Sequence, residues 1–284
     1  MTTLSAFLEW QTARFAGQPA LQYHPRYRTL RWNHDELAEH AAKLALALTA
    51  AGILPGDRVL LMSENSPYWV AAFFGVTRCG AVLVPLNPRG TPEQIRRIVA
   101  SARPRLLLRS ARCQRLDSSL TEWIIDVPGA PATAPARGDA TTGRQPSDLA
   151  EIMYTSGTTG EPKGVMLTHA NLLSDMAALS QAVPLDARHK ILNLVPLFHA
   201  YGQMTGLLCP LLGGCEVSHI AQPTTRAIQE ALSRVPATHL ILVPEMLKTL
   251  MDRLEQRVGR IPGLLTRLLR ERIRARISTT LHTI

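Results

Sequence analysis

Short, continuously apolar runs alternate with longer segments of helical period along most of the chain, and this alternation limits the possible folds. The runs are Val59–Met62, Ala81–Leu86, Arg105–Leu108, Trp123–Val127, Ile152–Thr155, Ile191–Val195 and His239–Val243. Several carry no polar residue at every second position, as expected of strands whose two sheet faces are both covered by helices. Between them lie helix-start signals. Asn33 and Glu36 form a capping-box pair before Leu37–Ala51, with Gly52 as the stop. Ser66-Pro67 and Thr91-Pro92-Glu93-Gln94 each place a cap before proline at the first helical position. Thr168 precedes Leu172, Leu173, Met176 and Leu179, which share one helical face. The pattern predicts an α/β fold with mostly parallel sheets flanked by helices.

Residues 128–148, PGAPATAPARGDATTGRQPSD, interrupt the alternation and hold almost no large apolar side chain. They read as an exposed linker or loop. It separates an N-terminal α/β subdomain, 1–127, from a partial second one, 149–284, and no internal repeat is visible. The four cysteines, Cys79, Cys113, Cys209 and Cys215, form no CxxC pair, which excludes a disulfide framework or a cysteine zinc site. No apolar run reaches membrane-spanning length, and the N-terminus lacks the basic and apolar regions of a signal peptide. The expected setting is cytoplasmic.

After the linker comes AEIMYTSGTTGEPKGVMLTHANLL. An apolar strand runs into Thr155-Ser156-Gly157-Thr158-Thr159-Gly160, and Lys163 follows three residues later. Glycines let backbone N–H groups approach an anion closely, the hydroxyls add donors, and the lysine adds a charge. Only four lysines occur in the chain against 27 arginines, so one in such a loop stands out. Phosphate suits this composition best. The spacing is neither GxxxxGK[ST] nor GxGxxG. A surface loop joining a strand to a helix could share the composition, but the preceding strand and the following Pro-Lys-Gly favour phosphate. Tyr154 reads as a packing residue.

YTSGTTGEPKGVMLTHANL resembles the phosphate-binding signature of the AMP-forming, adenylate-forming enzymes, which include acyl-CoA synthetases, luciferases and peptide-synthetase adenylation domains. GDRVLLMSENSPYWVAAFFGVTRCGAVLVPLNPRGTPEQI and VPLFHAYGQMTGLLCPLLGG are similar to two further family blocks, in the family's order. The resemblance covers nearly all of residues 1–250. It implies that Thr155 to Gly160 wrap the β- and γ-phosphates of ATP, that Lys163 neutralises them and that Thr155 helps place Mg²⁺. It also implies that His199, Tyr201 and Gly202 border the acyl pocket, with His199 shaping or gating the site rather than acting as general base. No HExxH or comparable ligand spacing is present, so the metal would be Mg²⁺ carried by the nucleotide. The implied reaction joins a carboxylic acid to the α-phosphate of ATP, and a thiol, by the resemblance coenzyme A in the complete enzyme, then displaces AMP. The wording PLFHAYG is most similar to the long-chain fatty acyl-CoA synthetases, which implies a fatty or other apolar acid; an aryl or amino acid is the nearest alternative within the family.

No segment resembles the family's later adenine motif, its ribose-binding aspartate, its hinge or its adenylation lysine. The resemblance therefore implies the incomplete large N-terminal domain of an adenylate-forming enzyme, with no catalytic residue assigned. The alternative is an inactive truncated remnant that at most binds nucleotide or an anionic membrane surface. The net charge is +9, and the eight arginines between Arg253 and Arg276 contribute a local excess of +6 over Glu255 and Glu271. Leu247, Leu250, Met251, Leu254 and Val258, then Leu264, Leu265, Leu268 and Leu269, predict two amphipathic helices there. Their basic faces fit weak, peripheral membrane-surface contact or plain solvation. No aromatic residues interleave the arginines, which counts against nucleic acid. The last residues, STTLHTI, match no expected family segment and read as a truncation or frameshift scar.

Overall fold

The computed structural model of the protein describes residues 1–24, 29–116, 119–127, 143–156 and 162–258. Helices begin where side chains can satisfy the free N–H groups of a first turn. Thr3 caps α1 (Leu4–Arg14), and Asn33 opens α2 (His34–Ala50) through a reciprocal pair with Glu36, both bonds at 2.8 Å. The α2 helix ends at Ala51, and Gly52 follows at φ +79°. Ser66 caps α3 (Pro67–Arg78), Thr91 caps α4 (Pro92–Ala102), and Thr168 caps α5 (His169–Ala182), each accepting from the N–H three residues on. All four helix starts expected from the sequence are present.

The expected strands are also present, with ends shifted by a few residues. They are β3 (Arg58–Met62), β4 (Val82–Pro85), β5 (Leu106–Arg109), β6 (Glu122–Ile124), β7 (Leu149–Ser156), β9 (Lys190–Asn193) and β11 (His239–Ile241). Four further strands had no clear sequence signal: β1 (Pro19–Tyr23), β2 (Leu30–Asn33), β8 (Pro162–Thr168) and β10 (Glu216–His219). One sheet has the order β11-β9-β10-β1-β2 and the other β6-β5-β3-β4-β7-β8. Each is parallel apart from one antiparallel edge strand, β2 or β8.

The sheets are not partitioned by residues 128–148. Strand β1 pairs in parallel with β10, and β4 pairs with β7, so both sheets take strands from either side of that segment. Hydrogen-bonded pairing is indifferent to sequence separation, which a linear reading of composition cannot foresee.

Side-chain alternation on the strands separates the layers. Val59 and Leu61 of β3 face one core while Leu60 and Met62 face another. The first core is shared by both sheets, since Leu21, Ile191 and Val217 join it along with α1, α2, α3 and α5. The outer face of the β3 sheet buries Val84 and Leu107 with Ile95 of α4. On the other sheet, Leu192 packs outward with Ile228 and Ala231 of α8 (Thr225–Arg234). A helical layer thus lies between two sheets, with a helix on each outer face. The four cysteines are free, and burial raises all four thiol pKa values, so they act as packing groups.

The last described helix is α9 (Pro244–Val258), on which Leu247 and Met251 stand exposed. The second amphipathic segment expected around Leu264–Leu269 lies outside the described residues. Among the described residues no helix is long and apolar enough to cross a membrane.

The middle layer depends on Gly75 of α3. A Cβ there would stand 2.9 Å from the Ala41 carbonyl oxygen and 3.0 Å from the Leu44 Cβ, both on α2. We expect Gly75→Val to lower unfolding stability by about 1–3 kcal/mol through overpacking. A shift of the urea midpoint at unchanged slope would measure it; an unshifted midpoint would show that the helices separate freely.

Candidate active site

The Gly/Thr-rich segment connects two antiparallel, hydrogen-bonded strands. Strand β7 enters it, and the chain returns antiparallel as β8 before α5 begins. The register sets Thr155 opposite Lys163 and Ser156 opposite Pro162, so the hydroxyl-bearing and cationic arms of the turn face each other. Both Thr155 and Lys163 are exposed. Gly157, Thr158, Thr159 and Gly160 lie outside the described residues.

One pair below, Gly164 sits opposite Tyr154. A Cβ on Gly164 would lie 2.8 Å from the Ile152 Cγ2 and 3.2 Å from the Tyr154 ring. The glycine lets the hairpin close over these side chains. Tyr154 packs against the α4 core and donates from its hydroxyl to Ser101 Oγ at 2.8 Å, in keeping with a packing role. Edge strand β8 leaves Val165 and Met166 exposed.

The second motif, PLFHAYG, follows β9. His199 is the N-cap residue of α6 (Ala200–Gln203), but its side chain makes no capping bond. Its imidazole is exposed beside the Phe198 ring, 4.3 Å between centroids, and partial desolvation lowers its pKa from the ordinary value. A neutral, exposed ring suits a wall or gate of a pocket better than a charged group. Tyr201 is also exposed, whereas Gly202 is buried directly against the Pro196 carbonyl and leaves no room for a side chain. The helix continues as a π-helical segment, Met204–Leu208, then as α7 (Cys209–Leu212). Pro210 has no N–H to return to Gly206, so the wider turn falls where an α-helical bond would be missing.

Two internal ties bring the motifs to one rim, and sequence reasoning missed both. Strands β3, β4 and β7 are parallel, so residues after β3 share a rim with the hairpin turn. Asn65, just beyond β3, donates from Nδ2 to the Val195 carbonyl and accepts from the Leu197 N–H, both at 2.8 Å. Asn193 clasps the same bend, with bonds of 3.0 Å to the Val195 carbonyl and N–H. The other tie joins Glu151 of β7 to Gln203 of α6 at 2.7 Å, both side chains fully buried. The partners of the first tie are 130 and 132 residues apart, and those of the second 52, so no local motif announces them.

Among the described residues no group of three or more His, Cys, Asp or Glu side chains could hold a metal.

A parallel sheet with a Gly/Thr/Lys hairpin at the carboxyl rim, beside a second motif tied to it, defines a nucleotide-type α/β enzyme domain. The chain belongs to the AMP-binding enzyme family, whose sequence model matches residues 8–275. It is 33% identical over 217 residues to a feruloyl-CoA synthase from Amycolatopsis sp, covering 75% of this chain and 44% of that protein. It is 30% identical over 232 residues to the probable CoA ligase CCL9 of Humulus lupulus, covering 76% of this chain and 44% of that protein. In fold it is similar to ATP-bound MatB from Rhodopseudomonas palustris, with a TM-score of 0.76, 24% identity, and coverage of 87% of this chain and 50% of that one. The chain therefore spans about half the length of the relatives it matches.

We expect Asn65→Ala to strand the buried Leu197 N–H at a cost of about 1–3 kcal/mol. Amide exchange at Leu197 should accelerate ahead of the β3 and β4 amides. Equal protection in variant and parent would show that the tie does not hold the loop.

Proposed function

We propose that this chain supplies the phosphate-side and acyl-side portion of an ATP-dependent, AMP-forming acid–thiol ligase. In that reaction a substrate carboxylate oxygen attacks the α-phosphorus of ATP, the bond to the bridging oxygen breaks, and pyrophosphate leaves. A thiol, coenzyme A by this reading, then attacks the acyl carbonyl and releases AMP as the thioester forms. The observation that carries the proposal is the hairpin register. It sets Lys163 across from Thr155 at the mouth of a turn containing three more hydroxyls and two glycines.

The chain's own contribution is positioning and charge. Backbone N–H groups and hydroxyls of residues 155–160 would hold the β- and γ-phosphates, and Lys163 would balance their charge. Mg²⁺ would supply further neutralisation while bound to phosphate oxygens, with Thr155 as its protein contact. His199, Tyr201 and Gly202 would border the acid, since the Asn65 and Gln203 ties hold their loop on the same rim. The half-buried Phe198 ring, flanked by exposed His199 and Tyr201, suits an apolar tail, which favours a fatty acid. The similarity to a feruloyl-CoA synthase favours an aryl-substituted acid as the second reading.

In isothermal titration with Mg-ATP, Lys163→Ala should weaken binding about tenfold, the loss expected of one charge-assisted contact. Unchanged affinity would remove the phosphate assignment. ATP–pyrophosphate exchange with a long-chain fatty acid or with ferulate ranks the two acid classes. Exchange above background with either supports adenylation by this chain, and none with both favours a remnant that only binds. Equal sedimentation with neutral and anionic liposomes would dismiss electrostatic membrane contact by the arginine-rich segment.

A further inference from the structure

The tie between β7 and α6 is chemically incomplete if Glu151 is a carboxylate. Gln203 Nε2 donates to Glu151 Oε1 at 2.7 Å. That leaves Glu151 Oε2 and Gln203 Oε1 buried with no donor among the described residues. Both atoms are acceptors, and they belong to the same two side chains. One proton on Glu151 Oε2 would supply the missing donor, so that in a reciprocal acid–amide pair each group would donate once and accept once.

We propose that Glu151 is held as a neutral carboxylic acid in a reciprocal hydrogen-bonded pair with Gln203, and that this pair is the positioning link between the phosphate hairpin and the helix following His199. The pairing stands on the geometry; its importance to a ligase rests on the functional reading above.

The surroundings agree. Glu151 lies four residues before Thr155 on one strand, and Gln203 four residues after His199 on the helix, whose Gln203 N–H donates to the His199 carbonyl at 3.0 Å. Across the sheet Glu151 is flanked by Leu83 on β4 and Leu167 on β8. From α6 it meets Gln203, and no charged group among the described residues acts on it. Burial accordingly drives its pKa up to about 8, with the Gln203 bond opposing weakly. An ionised Glu151 would instead be a fully buried, unpaired charge, the costliest state available to it.

The sign of the pH dependence follows by linkage. The folded state keeps the proton after the unfolded state has lost it. Stability from this group is therefore complete below the ordinary glutamate range, falls as pH rises, and levels off above about 8.

The test uses the full chain and the variants Glu151→Gln, Glu151→Leu and Gln203→Leu. Glutamine restores the reciprocal pair without a titrating proton; leucine abolishes it. With carboxyl-labelled glutamate, infrared difference spectra at neutral pH should show a protonated-carboxyl C=O band in the parent that Glu151→Gln lacks. The melting temperature of Glu151→Gln relative to the parent should rise from about pH 5 to about pH 8 and then stay level. Amide exchange should accelerate in both β7 and α6 in the leucine variants, with the glutamine variant protected like the parent. No protonated band, or a pH-independent melting difference, would overturn the neutral acid. Faster exchange confined to the substituted element would overturn the link. If the leucine variants fail to fold, Glu151→Gln alone decides through its spectrum and its melting profile. None of these readouts requires ATP, so failure to bind nucleotide would count against the proposed function alone.

Discussion

The close approach of α2 and α3 is the constraint on which the remaining architecture depends. Both sheets bury their inner faces on the same helical layer, so the thickness of that layer sets the distance between their rims. Gly75 keeps it thin where α3 meets the Ala41 carbonyl and Leu44. Across that layer Asn65, at the end of a strand in one sheet, reaches the backbone following a strand in the other. The rim that carries the Gly/Thr/Lys hairpin and the His199 loop is held by these ties across the helical layer. Buried apolar area of this kind is the main favourable contribution to such a fold, while the polar ties select one relative placement of the two sheets.

Much of the local structure is legible because its causes are local. Asn33, Ser66, Thr91 and Thr168 cap helices through bonds spanning three residues, and Val59–Met62 or Ile191–Leu192 announce buried strands by apolar continuity alone. Strands with mixed composition escape such a reading. Strand β8 contains Pro-Lys-Gly and is exposed along its middle, so its sequence resembles a loop, and β10 carries Glu216 and His219 among its four residues. Pairing β1 with β10 is a tertiary choice that no window of sequence contains.

The candidate site divides along the same line. Thr155 and Lys163 belong to a contiguous motif whose composition suggests phosphate, and His199 and Gly202 to one whose family resemblance suggests an acid pocket. Asn65, Glu151 and Gln203 are ordinary polar residues until the fold buries them against partners far away in sequence. What makes Glu151 notable is burial itself, since the same side chain on an exposed strand would be an unremarkable carboxylate. The positive charge shows the opposite limit. It is conspicuous in the sequence, yet most of its largest concentration, Arg253 to Arg276, lies outside the described residues.

The interleaving of the two sheets has a consequence for how the chain reaches its native state. Strand β1 finds its parallel partner only after β10 exists, with Gln22 and Ser218 196 residues apart, and β4 must wait for β7 across the segment 128–148. Contacts of such separation slow folding, because a long loop must close before they form. The N-terminal strands therefore emerge from the ribosome with edges that stay open until β7 and β10 have followed. The stretch that follows residue 148 is, in effect, the folding template of the strands that precede it.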